Sequence, residues 1–223
     1  VVQLTGIWGS RAVHMLNNHW LVARLAAVAA VGALAGCGGA SVAVPTSFPV
    51  PLVQRLPVSM GVHLSDEVRT FVHQEKLKNA GDWSINLGGA QEPMFNNLAS
   101  GMFATSRFVR DPQDPGGDVD GVLVPSIAEV QFSTPTQTRS DYFEVWIRYH
   151  FELLGNDGQV IADWDLTAYG KANQRNYGGL QGNQPALQAA ALAACRDAMA
   201  FFTIQFRGVP ALRDWLAAMG AQA

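Results

Sequence analysis

The sequence predicts an α+β domain: a two-layer body with an antiparallel sheet built round a three-strand meander, and helices packed on one face. Three observations lead there. Residues 141–154 alternate apolar and polar side chains, the period of a half-buried strand. Gly155-Asn156-Asp157-Gly158 is a turn signal between that run and a second alternating run that starts at Val160. Leu187, Ala191, Cys195, Met199, Phe202 and Phe206 recur at helical spacing, the apolar stripe of a long helix. Strands and helices with one apolar face each bury those faces by stacking in layers.

Each element follows from local pattern. The stretch from Gly38 to Pro57 carries Pro45, Pro49, Pro51 and Pro57 among Ser and Ala, which predicts an extended, semi-rigid tether. Val58, Met60, Val62 and Leu64 alternate and predict a strand. Ser65-Asp66-Glu67 then opens a short helix that turns Val68, Phe71 and Val72 inward. Trp83, Ile85 and Leu87 alternate again. Pro93 fits the first turn of a helix, with Met94, Phe95, Leu98 and Met102 on its apolar face. Phe108 and Val109 close a short strand.

The central β region is expected over residues 121–171. Val122, Val124, Ser126, Ala128, Val130 and Phe132 share one strand face, and Pro125 marks an edge or a bulge. In the next run Phe143, Val145, Ile147, Tyr149, Phe151 and Leu153 face inward, while Glu144, Trp146, Arg148, His150 and Glu152 face outward. Beyond the turn, Val160, Ala162, Trp164, Leu166 and Ala168 face inward. Two registers keep these faces together. Paired positions summing to 313 set His150 opposite Asp163 and Arg148 opposite Asp165, whereas a sum of 315 sets Glu152 opposite Asp163. Opposite charges across strands contribute roughly 0.2–1 kcal/mol and like charges cost, so the expected register is the first. Gln184-Pro185 opens the long helix, Gly208 and Pro210 end it, and residues 211–219 form a short terminal helix.

Composition excludes several classes of function. The chain has 223 residues, 48% hydrophobic and 15% charged, so a packed core is expected and wholesale disorder is not. A net charge of -3 excludes a strongly basic nucleic-acid binder. Two cysteines exclude a disulfide scaffold and a Cys-rich zinc module.

The N-terminus reads as an export signal. Leu25 to Gly36 is an uncharged run of 12 residues behind Arg11 and Arg24, and no acid precedes Asp66. A membrane span needs roughly 20 apolar residues, whereas a short run behind positive charge is a secretory signal. The run closes on Leu34-Ala35-Gly36-Cys37. This order closely resembles the bacterial lipobox. The resemblance implies a diacylglycerol thioether on Cys37, cleavage before it, and acylation of the new amine by a chain such as palmitate. Residues 1–36 are then a signal peptide, with residues 1–14 upstream of a start at Met15; residues 37–57 are a lipidated tether, and residues 58–223 a periplasmic domain. Gly38 stands where an Asp would be the family's inner-membrane retention signal in some Gram-negative bacteria, so the resemblance implies the outer membrane. The processed chain has 187 residues with 13 basic and 18 acidic side chains, a net -5 that offers no polybasic grip on anionic lipid.

A lipobox, a linker and this element order also look like small envelope lipoproteins of the YajG and LptE kind. The segments that carry this likeness are residues 58–64, 93–105, 121–171 and 185–206. It implies a partner in the envelope, such as the outer-membrane barrel of lipopolysaccharide export that LptE assists, and it assigns no site residue.

Candidate chemistry is weighed against plainer accounts. His150, Asp163, Asp165, Arg148 and Glu144 could form an acid/base cluster, but charge pairing on a wetted sheet face is the simpler account. Trp146, with Arg148 and His150, marks a candidate partner surface; the plainer account stacks Trp146 on Arg148 or covers it with a loop. Asp111, Asp114, Asp118 and Asp120 crowd one loop but lack the spacing of a calcium loop. His63 and His73 have no metal-ligand companion at helix spacing. Ser84, Ser100 and Ser126 lack the Gly-x-Ser-x-Gly elbow. Cys195 reads as a small buried hydrophobe. The expectation is a non-enzymatic accessory subunit with no catalytic residue, metal or cofactor. The alternatives are a lipid- or glycan-binding module with a crevice between sheet and helices, and, third, an envelope hydrolase.

Overall fold

The computed structural model describes residues 39–78, 80–178 and 182–220. Met15 and the lipobox residues Leu34, Ala35, Gly36 and Cys37 lie outside the described residues, as does the expected signal peptide. The strands are β1 (Gly39–Ala43), β2 (Leu56–Val62), β3 (Val72–Leu77), β4 (Gly81–Asn86), β5 (Phe103–Phe108), β6 (Gly121–Ser133), β7 (Tyr142–Gly155) and β8 (Val160–Asn173). The helices are α1 (Asp66–Arg69), α2 (Gly88–Met102), α3 (Pro135–Thr138), α4 (Asn183–Gln205) and α5 (Pro210–Ala218).

The fold is α+β, but its strands form two sheets and both are mixed. A five-stranded sheet runs in the order β5-β2-β6-β7-β8, and a three-stranded sheet in the order β1-β4-β3. The expected antiparallel meander is present as β6-β7-β8. The expectation of a wholly antiparallel sheet in two layers is corrected: β2 pairs parallel with both β5 and β6, and β1 pairs parallel with β4. Parallel neighbours need a crossover of a dozen or more residues. The chain between β2 and β5, including the 15-residue α2, supplies one, residues 109–120 carry the chain from β5 across β2 to β6, and residues 44–80 connect β1 to β4. Alternation in sequence is the same for both pairings, which is why it did not distinguish them.

Residues 39–57 are not a tether. Ala40, Val42, Val44 and Phe48 are buried in the core. Proline removes N–H donors, so much of this segment cannot join a ladder. Side chains from two helices and the turn after α4 bond its carbonyls instead: Asn97 Nδ2 donates to Phe48 O at 2.8 Å, Arg196 Nη2 to Ser47 O at 3.2 Å and Arg207 Nη2 to Gln54 O at 3.0 Å. The folded body therefore includes residues 39–48, ahead of the boundary expected at Val58.

Three further elements depart from expectation. Helix α2 begins at Gly88, so Pro93 lies inside it rather than in its first turn. Only the carbonyl of Gly89 loses its intrahelical donor, and Gly89 is exposed to water. Val72 is exposed and opens β3. In β6 a bulge between Ile127 and Glu129 switches the buried face, so Leu123, Pro125 and Ile127 face inward before it and Val130 and Phe132 after it. Val122 belongs to a separate small cluster with Val109, Val119 and Leu154 on the other side.

The core fills the space between the five-stranded sheet and the helices. Phe151 packs against Phe95, Trp164 and Phe202, and Phe206 closes on Phe103 and Trp164. Trp83 of β4 lies 5.7 Å from the rings of both Phe132 and Phe143, which joins the smaller sheet to the larger.

One position sets how close α4 comes. A Cβ on Gly170 of β8 would sit 2.2 Å from the carbonyl oxygen of Ala190 and from the amide nitrogen of Ala194. The strand can meet the helix backbone only because this residue has no side chain. Overpacking a tight core costs typically 1–3 kcal/mol, and here the obstacle is backbone. We expect Gly170→Ala to lose about 3 kcal/mol or more in urea unfolding, while Gly117→Ala, with open space around its Cβ, stays within about 0.5 kcal/mol of the parent.

Candidate functional site

Helices α2 and α4 cover one face of the meander, and the opposite face stays open to water. It presents Glu144, Trp146, Arg148 and His150 from β7, and Asp165, Thr167 and Tyr169 from β8. The pairing between these strands is the 315 register, not the expected 313: His150 faces Asp165, Trp146 faces Tyr169 and Arg148 faces Thr167. Glu152 does face Asp163, the like-charge pair that sequence reasoning penalised. Both are solvent-accessible, so water screens the repulsion. Against that small cost stand a direct His150–Asp165 pair and the stacking of Phe151 on Trp164 at 5.3 Å.

The register creates the centre of this face. The Trp146 and Tyr169 rings lie 5.2 Å apart and tilted by 39°. Tyr169 donates its backbone N–H to Asp197 Oδ2 of α4 at 2.8 Å, not to Trp146. The two residues therefore form a non-hydrogen-bonded pair, the kind whose side chains lie closer. Trp146 neither stacks on Arg148 nor hides under a loop; its neighbour is Tyr169, which the other register would have placed elsewhere.

Charged groups surround the ring pair. Tyr169 donates its hydroxyl to Glu144 Oε1 at 2.5 Å, and Ser133 donates to Glu144 Oε2 at 3.1 Å. Mainly because Glu144 accepts that hydrogen bond, which the neutral phenol alone can donate, the Tyr169 hydroxyl is pushed up to about 12. Arg148 donates to Glu129 Oε2 at 2.8 Å and approaches Asp165 Oδ2 at 3.8 Å, while His150 Nδ1 lies 2.8 Å from Asp165 Oδ1. A shallow depression of about 200 Å³ runs between Glu129, Gln131, Trp146, Arg148 and Thr167.

This arrangement brings Arg148, His150, Asp165 and Glu144 to one face but leaves Asp163 beside Glu152. Its ion pairs are exposed and each contributes little to stability. What the face can do is present a flat aromatic pair ringed by both signs of charge.

The other candidates separate. Asp120 Oδ2 accepts the Ser59 N–H at 2.7 Å and Asp111 Oδ1 accepts the Gln113 N–H at 2.9 Å. Among the described residues no three His, Cys, Asp or Glu side chains gather as a metal site. His63 Nδ1 lies 3.3 Å from Val109 O, and His73 packs edge-on to Phe132.

Sequence reasoning missed a buried polar cluster. Tyr149 is fully buried and donates to Gln91 Oε1 at 3.1 Å, while Gln91 Nε2 donates to Leu87 O at 3.1 Å. Cys195 is fully buried, as expected of a small hydrophobe, yet its thiol lies beside the Tyr149 hydroxyl. Burial pushes the Cys195 thiol up to about 12 and lifts Tyr149 well above its ordinary range. A Gln inside an apolar helix face was the available signal, since a buried amide needs partners.

No family model matches the chain, and no curated protein matches it. Among solved structures it is similar to a Xanthomonas campestris protein of the DUF330 family, at 11% identity and TM-score 0.44 over 74% of this chain and 92% of that one. It is similar to a minor lipoprotein of Acinetobacter baumannii at 14% identity and TM-score 0.39, over 77% and 96% of the two chains. A Caulobacter crescentus protein assigned as a lipoprotein matches at 16% identity and TM-score 0.33, over 46% and 70%. Likeness at these scores carries no inference about this chain.

Two outcomes follow from the shifted groups. Ultraviolet titration of Tyr169 should give a midpoint near 12, and Glu144→Gln should bring it down toward 10. Folded Cys195 keeps its proton to about pH 12, whereas the unfolded thiol releases it near 9.0. The unfolded state therefore binds fewer protons over that window, and stability that is whole below pH 9 falls as pH rises toward 12. The contribution of this one group is up to about 1.4 kcal/mol per pH unit. Urea melts of Cys195→Ala should show a shallower alkaline decline.

Proposed function

We propose that this chain is the precursor of a bacterial lipoprotein, held by acylated Cys37 on the periplasmic side of the outer membrane. Its folded body serves, without chemistry of its own, as an accessory subunit of an envelope assembly or transport complex. The observation that carries this reading is the Trp146–Tyr169 pair on the open sheet face, beside Arg148 and His150. Aromatic and arginine side chains at the centre of a patch are the groups that most often dominate protein–protein binding. Glu129, Glu144 and Asp165 round the pair offer charges that steer a complementary partner. The order Leu34-Ala35-Gly36-Cys37 supplies the anchor. Two or three acyl chains on one residue give lasting attachment where one gives only marginal binding.

Affinity capture from detergent-solubilised envelopes, under crosslinking, should recover a barrel or transporter protein. Trp146→Ala combined with Arg148→Glu should lose at least tenfold of that recovery. The double variant should still fold, because a cross-strand pair contributes only about 0.2–1 kcal/mol. Cys37→Ser should move the protein out of the membrane fraction. A parent protein that always elutes alone, or an unchanged recovery in the double variant, would contradict the reading.

A further inference from the structure

The folded body leaves almost no chain between itself and Cys37. Gly39 opens β1 and pairs with Asp82 of β4. Its φ is +94°, and a Cβ there would lie 1.9 Å from the Asp82 carbonyl oxygen. Ala40 and Val42, the next inward residues, are buried at 5% and 6% exposure, so β1 cannot peel away without opening the core. Only Gly38 separates Cys37 from Gly39. Two residue steps span at most about 7 Å.

We infer that the β3–β4 end of the smaller sheet rests directly on the lipid headgroups, an inference that rests on acylation of Cys37. The surface at that end has the chemistry for it. Lys76 pairs with Asp82, and Leu77 with Gly81, at the same end of the sheet as Gly39. Lys76 and Asp82 are 83% and 80% exposed with their charges 3.7 Å apart, so both ends of a zwitterionic or anionic headgroup find a partner. Lys78, also exposed, follows at the turn. These are two of the chain's three lysines.

The same geometry places the rest of the body. Phe143, beside Trp83, lies near the seated end of β7. The turn after Gly155 lies twelve residues further along the strand, about 40 Å away. The hairpin tip is thereby carried away from the seated end.

The test uses full-length protein purified from its host membrane, with a fluorophore on Lys78→Cys or on Asn156→Cys. Buried Cys195 does not compete for the label. Each protein is reconstituted in phosphatidylethanolamine–phosphatidylglycerol vesicles that carry a headgroup nitroxide. Quenching should be several-fold stronger at position 78 than at 156. Inserting roughly ten Gly/Ser residues after Gly38, a flexible linker, should bring the two sites to equal quenching while vesicle attachment persists. Equal quenching in the parent, with an acylated Cys37 in the mass spectrum, overturns the seating and leaves the anchor standing. A bare Cys37 overturns both.

Discussion

The close approach of β8 to α4 is the contact on which the rest of the structure depends. Gly170 lets the strand meet the helix backbone at Ala190 and Ala194, and the small side chains Ala186, Ala190, Ala191 and Ala194 keep the gap narrow. A helix held this near can also cover the edge of the sheet. Asp197 accepts the Tyr169 N–H and Gln205 Nε2 donates to Asp165 O, so two edge groups that could template another strand are already bonded. Holding β8 by its edge fixes the register of Tyr169 against Trp146. The open face is therefore shaped from behind, by a helix on the other side of the sheet.

The core explains why that face can be polar and flat. Phe95, Tyr149, Phe151, Trp164, Phe202 and Phe206 form one run of ring contacts between sheet and helices. Rings of this size each bury a large apolar area on the inner face, so the outward residues of β7 and β8 are free to carry charge. Within the run, Gln91, Tyr149 and Cys195 bring polar atoms from α2, β7 and α4 to one point. A satisfied polar group in an apolar core favours one arrangement of those three elements over others.

Much of the fold was legible because periodicity reports burial. The inward residues of β2, β4 and β7 and the stripe of α4 lie where alternation and helical spacing placed them, as do Ala162, Trp164, Leu166 and Ala168 of β8, whereas Val160, expected inward, is exposed at the start of that strand. The errors share one cause: each required knowing a neighbour. The choice between 313 and 315 turned on an exposed like-charge pair that costs little, against ring stacking that only the folded chain displays. Residues 39–57 looked like a tether because proline and glycine mask the alternation of Ala40, Val42 and Val44, and because their partners lie on distant helices. Pro125 hinted at an edge or a bulge in β6, but the bulge falls between Ile127 and Glu129, and the change of face it causes shows only relative to β7.

By itself, the sequence determined which side chains of β2, β4, β7 and the long helix turn inward, where that helix runs, and that a Leu-Ala-Gly-Cys order follows a basic, apolar start. These are local properties, set by the spacing of apolar groups and by the chemistry of adjacent residues. Only the tertiary structure decided which strands run parallel, which residues meet across β7 and β8, and that Gly39–Ala43 is a strand of the folded body. Those depend on contacts between residues far apart in the chain, where several arrangements bury the same apolar faces and small differences in packing choose among them.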